Sequence, residues 1–209
     1  MDAPANRRFK LLGLSGSIRR ESNCVAVLRT LQELLAADVE LTIFGLESIP
    51  LYNEDADTDA PPAPVAALRR AIAESDGIVI VSPEYNHGMS GVIKNALDWA
   101  SRPSSSPPLV NKPVTVMTSA SSTLGGVRAQ AQLNETLHGT FSRLPPGRQV
   151  VIGNAKQKIE GGRLTDEATR QFALNAIESL LEEICMVQRR PPRSSAEAAA
   201  QRMTAKGPR

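Results

Sequence analysis

Three short stretches of this chain carry residue types suited to holding a ligand. The first, Ser15-Gly16-Ser17-Ile18-Arg19-Arg20-Glu21-Ser22-Asn23, combines hydroxyls, a glycine and cations. Small residues ahead of a helix let backbone N–H groups converge, and the first helical turn adds partial positive charge. Ser15, Ser17, Ser22 and Asn23 add polar groups and Arg19 a full charge. The chemistry this suits is a metal-free phosphate cradle. No Gly-Lys-Ser/Thr follows and there is no G-x-G-x-x-G, so neither common nucleotide fingerprint applies. An ordinary strand-to-helix turn with Ser22 as N-cap is the alternative reading. The second stretch, Pro83-Glu84-Tyr85-Asn86-His87-Gly88, offers a stiff exit from a strand, a flat tyrosine face for stacking and an amide for the edge of a heterocycle. His87 has no Ser or Cys nucleophile with an acidic partner nearby in sequence, and reads as a loop imidazole, not a catalytic base. The third stretch, Ser119 to Arg128, has small side chains that permit close approach of a ring. Gly125-Gly126 stands directly before a helix.

These stretches need elements to position them. Phe9–Leu14, Val39–Ile43, Ile78–Val81, Pro113–Thr118 and Gln149–Ile152 read as strands. Ser22–Ala37, Val65–Glu74, Gly91–Ala100, Gly126–His138 and Thr165–Met186 read as helices. Val25, Leu28, Leu31, Leu34 and Leu35 keep the three- and four-residue steps of an amphipathic helix. The segment from Gly45 to Pro64, rich in Pro and Asp, reads as irregular. Strands alternating with helices predict a doubly wound, five-stranded parallel sheet in a three-layer α/β/α sandwich. In such folds ligands collect outside the carboxyl ends of the strands, where all three stretches fall.

Composition narrows the classes. At 209 residues the chain has room for one good core. Residues 1–8 read as a flexible N-terminus, 9–188 as the domain, and 189–209, rich in Pro, Ser, Ala and Arg, as a disordered basic tail. A net charge of +2 is too small to argue for nucleic acid, and no DNA-binding motif is visible. No apolar run approaches the roughly 20 residues of a membrane span. Met1–Lys10 lacks the apolar stretch of a secretory signal. Cys24 and Cys185, far apart and without metal-ligand spacing, read as reduced residues of a cytoplasmic protein. No metal site is expected.

A phosphate cradle, a stacking loop and a small-residue loop around one crevice suggest a mononucleotide with a planar base, and flavin mononucleotide (FMN) fits best. At this point the residues resemble a known family. Gly16-Ser17-x-Arg19-x-x-Ser22, Pro50-Leu51-Tyr52-Asn53-Glu54-Asp55, Pro83-Glu84-Tyr85-Asn86, Lys94-Asn95-Ala96-Leu97-Asp98-Trp99 and Gly125-Gly126-x-Arg128 are similar to the NADPH-dependent FMN reductases, which include flavodoxin-like quinone and chromate reductases. The resemblance covers Phe9 to Met186. It implies that Ser15, Ser17, Arg19, Ser22 and Asn23 hold the FMN phosphate. It implies that Pro83, Glu84, Tyr85 and Asn86 line the ring, and that Ser119 approaches it from the third loop, with Gly125 and Gly126 beside it. The family usually carries an aromatic residue where Asn23 stands. The implied activity is hydride transfer from NADPH or NADH through FMN to a quinone, chromate, an azo compound or free flavin, with no side chain as nucleophile. A flavodoxin-type electron carrier or a redox-sensing flavin protein is the alternative; a nucleotide hydrolase is disfavoured by the lack of a carboxylate cluster. Arg19, Arg102 and Arg128 are candidates for the 2′-phosphate of NADPH. A homodimer or homotetramer is implied, with Trp99 either at the subunit contact or in the core.

Overall fold

The computed structural model describes residues 8–189. The elements in chain order are β1 (Phe9–Ser15), α1 (Asn23–Leu34), β2 (Val39–Phe44), α2 (Ala63–Glu74), β3 (Gly77–Ser82), β4 (Glu84–Tyr85), β5 (Gly88–Met89), α3 (Gly91–Ala100), β6 (Val114–Ser119), α4 (Val127–Gly139), β7 (Val150–Ile152), α5 (Ala155–Lys158), β8 (Ile159–Glu160), β9 (Arg163–Leu164) and α6 (Glu167–Gln188). Five strands form one sheet in the order β2-β1-β3-β6-β7, all neighbours parallel. The chain thus winds outward from β1 to one edge, crosses back, and builds the other edge. This is the expected doubly wound, flavodoxin-like fold.

Every residue of β3 and of β6 is buried. Both strands lie between neighbours and under helices on each face, which is why their sequences are apolar without alternation. Two core clusters fill the two sides. Leu11, Val79, Val81 and Met117 pack with Val27 and Leu31 of α1 and with Ile177, Leu180 and Ile184 of α6. Leu12, Leu14, Ile78, Ile80, Val114 and Val116 pack with Leu68 and Ile72 of α2, Ile93 and Leu97 of α3, and Leu133 and Leu137 of α4. Successive residues of one strand feed opposite clusters, as a pleated backbone requires.

The expected boundaries hold to within a few residues. α1 stops at Leu34 rather than Ala37, because Leu35 turns extended and caps the helix through its N–H on the Leu31 carbonyl. α6 begins at Glu167 because Asp166 is its N-cap, its side chain accepting from the Thr169 N–H. That hydrogen bonding with Thr169, first the hydroxyl and then the backbone, holds the Asp166 carboxyl below its ordinary range. Two small hairpins, β4-β5 and β8-β9, were not expected. Trp99 is fully buried and donates its indole N–H to the Pro50 carbonyl at 2.8 Å. Of the two places considered for it, the core is the one it occupies. Residues 1–7 and 190–209, with most of the expected flexible N-terminus and basic tail, lie outside the described residues.

Candidate functional site

The first loop leaves β1 at its carboxyl end and is braced from within. The Ser15 hydroxyl donates to the Ser17 carbonyl at 2.9 Å and accepts from the Ser17 N–H at 3.2 Å. Ser17 Oγ lies 3.4 Å from the Arg19 N–H, and Ser22 Oγ accepts from the Val25 N–H at 3.3 Å. Ser22 is therefore the N-cap of α1, as the capping reading expects. Ser15, Ser17 and Ser22 are buried, Asn23 is half-buried, and Ile18, Arg19 and Arg20 are exposed. The cradle presents backbone and cations outward, while its hydroxyls hold its shape.

Gly16 sets the distance between this loop and the second one. Its N–H donates to the Val81 carbonyl at 2.8 Å. A Cβ there would stand 2.8 Å from Ser82 Oγ and 2.9 Å from Pro83 Cδ, so only glycine lets the two strand ends lie this close. The second loop is itself a hairpin. Glu84 pairs with Met89 and Tyr85 with Gly88, and the two tip residues Asn86 and His87 have φ of 50° and 67°. Two consecutive left-handed residues are what a tight two-residue hairpin demands. Tyr85 is carried outward, 53% exposed, with Asn86 and His87 exposed beside it. Pro83 is buried at the base.

The third loop continues β6. Gly126, at φ 99°, is the N-cap position of α4, and a Cβ on it would press on Thr118 and Glu84. Gly125 faces the other way, where a Cβ would stand 2.6 Å from the Gly153 nitrogen and from Val151 Cγ1. Its glycine serves the packing of the loop on β7. Among the described residues, three buried side-chain polar atoms lack a hydrogen-bond partner, and two of them, Thr118 Oγ1 and Ser119 Oγ, are adjacent at this strand end. Buried hydroxyls are normally satisfied. Successive strand residues face opposite sides, so the two orphans flank the end of β6, at the carboxyl edge where doubly wound sheets take ligands. The orphaned hydroxyls, the Gly16 contact and the amide-and-arginine cradle together fit FMN.

The Glu84 side chain turns away from the hairpin tip. Its carboxylate turns to α4, accepting from the N–H groups of Arg128 at 2.9 Å and Ala129 at 3.2 Å, with the Arg128 guanidinium 3.6 Å away. On the far strand of the hairpin, Gln132 Oε1 accepts from the Met89 N–H at 3.0 Å. Hairpin and helix are thus joined at two points. Asn95, quoted in a motif but given no role by the sequence reading, accepts from the Tyr52 N–H and donates to the Pro50 carbonyl, tying Pro50–Tyr52 to α3. Leu51 is left 84% exposed on that tethered segment. Of the three arginines considered for a nucleotide phosphate, Arg19 is exposed, Arg102 is half-buried, and Arg128 is engaged with Glu84. Among the described residues no group of His, Cys, Asp and Glu forms a metal site. A cavity of about 320 Å³ lies elsewhere, between β6, α4, α6 and residues 144–149, and none of the three loops lines it.

Comparison with known proteins bears on the same residues. Residues 9–157 match the sequence family described as NADPH-dependent FMN reductase. An NAD(P)H-dependent FMN reductase of Pseudomonas aeruginosa is 34% identical over 175 residues, covering 82% of this chain and 93% of the relative. A quinone reductase of Escherichia coli K12 is 39% identical over 168 residues, covering 78% and 89%. Among solved structures, the FerB flavoenzyme, an NAD(P)H:(acceptor) oxidoreductase from Paracoccus denitrificans, superposes with a TM-score of 0.75 at 30% identity, over 84% of this chain and 97% of that one.

Proposed function

The chain belongs to the NADPH-dependent FMN reductase family, and from that premise we propose that it is an FMN-dependent NAD(P)H oxidoreductase acting on quinones or comparable acceptors. The observation that carries this reading is the convergence of three loops at one sheet edge. Gly16 seats the first on the second, Glu84 ties the second to the third, and two unpartnered buried hydroxyls stand at the third. When bound, FMN would supply the hydride chemistry that links a reduced nicotinamide to the acceptor. The chain's residues bind and orient. The α1 amides with Arg19 suit the phosphate, Thr118 and Ser119 suit the polar edge of the ring, and Tyr85 offers an aromatic face.

Five exposed large apolar residues lie on the segments that follow the strands at this edge: Ile18, Leu51 and Leu124 in loops, Tyr85 in β4 and Val127 at the start of α4. An apolar rim around a polar cradle suits a flat, weakly polar acceptor, and equally suits cover by a second subunit. We include in this reading a homodimer or homotetramer with its sites near the subunit contact, in the cytoplasm. Among the described residues no helix is long and apolar enough to cross a membrane.

The test is spectroscopic. Purified protein supplied with FMN shows bound-flavin absorbance, NADPH bleaches it without oxygen, and a benzoquinone restores it with multiple turnovers. Protein that takes up no FMN refutes the assignment, and protein that binds FMN without turning over is an electron carrier. Light scattering reads the oligomer. Arg19→Ala weakens FMN binding, and an unchanged FMN affinity removes Arg19 from the phosphate cradle.

A further inference from the structure

Helix α4 begins without a capping side chain of its own, because its N-cap position is Gly126. A helix start needs acceptors for its first N–H groups. Here they come from 44 residues back in the chain: one oxygen of Glu84 takes the Arg128 and Ala129 amides, and the other faces the Arg128 guanidinium. The Glu84 side chain is only 14% exposed. It enters beside Gly126, where a Cβ would stand 3.5 Å from its own Cβ. The charge therefore sits against two positive features, a helix N-terminus and an arginine, and Gly126 beside it also borders the unpartnered Thr118 hydroxyl.

We propose that Glu84 is a positioning residue: its carboxylate supplies the cap α4 lacks, locks the hairpin and the third loop into one wall for the cofactor ring, and offsets the positive charge that wall would otherwise turn toward bound FMN. This rests on the FMN-dependent reading above. Two consequences separate it from simple fold maintenance. Losing the cap frees both amides. Losing only the charge leaves the helix end and Arg128 uncompensated, which favours reduced over oxidised FMN because reduction adds negative charge.

Two variants divide these effects. Glu84→Gln keeps an oxygen for the amides and removes the charge; Glu84→Ala removes both. In FMN-free protein, hydrogen exchange at Arg128 and Ala129 accelerates about tenfold in Glu84→Ala and stays close to wild type in Glu84→Gln. In FMN-loaded protein, the midpoint potential of Glu84→Gln rises relative to wild type. A tenfold change in relative affinity for the two FMN states corresponds to about 30 mV for a two-electron couple. A merely structural glutamate would leave that potential where it was. Wild-type exchange rates in Glu84→Ala, or a wild-type or lowered potential in Glu84→Gln, overturn the inference. Wild-type protein that takes up no FMN overturns the functional reading instead, and the exchange measurement still decides whether the cap exists.

Discussion

Cys24 lies in the first turn of α1, buried next to the first loop. Burial pushes its thiol from an ordinary 9.0 up to about 12, and the Ser22 hydroxyl and Arg19 charge recover only part of that. The sign of the consequence follows from linkage. Below pH 9 the thiol is protonated in both folded and unfolded chains. Between pH 9 and 12 the unfolded thiol ionises while the folded one does not, so stability falls as pH rises, by about 1.4 kcal/mol per unit. Urea denaturation at pH 8 and pH 10 checks this. Wild type loses about 1.4 kcal/mol more than Cys24→Ala over that interval, and parallel losses would show that the thiol does not titrate in this way. The Ser22 cap was legible in the sequence because the capping hydroxyl stands directly before the helix it starts. Glu84 was legible only as a member of a motif. Its carboxylate acts on α4 across 44 residues, and no spacing rule encodes a cap delivered from another loop.

The crossover after β2 shows what sequence patterning misses among elements. Residues 45–64 have no helical or strand period and read as irregular, yet they are fastened firmly. Arg69 of α2 reaches Asp57 at 2.7 Å with both side chains nearly buried, donates to the Trp99 carbonyl at 3.0 Å, and lies 5.6 Å from the centre of the Trp99 ring. Tyr52 meets the same ring edge-on at 4.9 Å. A buried ion pair contributes little net stability, but removing one partner strands the other charge. Asp57→Ala is therefore expected to cost about 3 kcal/mol. Arg69→Met in the same chain recovers part of that loss even though it removes a second polar group. Chemical denaturation of the single and double variants checks this; a double variant less stable than Asp57→Ala would show that Arg69 is held by Trp99 rather than by its carboxylate partner. The strands and long helices were readable because apolar periodicity records burial one residue at a time. The hairpin β4-β5 was not, since two-residue strands are too short to show a period. Its signal was the Asn86-His87-Gly88 run, which accepts left-handed backbone.

At the scale of the whole molecule, the three loops belong to three different crossovers and meet only when β1, β3 and β6 lie side by side. The unfolded chain has no cradle, so FMN binds the native state alone and its binding energy adds to folding stability. At 100 times the dissociation constant that addition is about 2.7 kcal/mol. For a domain of this size each kcal/mol moves the melting temperature by about 2–4 °C, so excess FMN is expected to raise it by about 5–11 °C. Gly16→Ala supplies the control. Its added Cβ sits 2.8 Å from Ser82 Oγ and 2.9 Å from Pro83 Cδ, pushing the first loop off the second while the sheet beneath stays paired. The variant should unfold cooperatively and gain less than about 2 °C from the same FMN. Differential scanning calorimetry at one fixed protein concentration reads both. A full FMN shift in Gly16→Ala would mean that the cradle tolerates separation of the two loops, and a wild type indifferent to FMN would mean that the sheet edge does not assemble a flavin site at all.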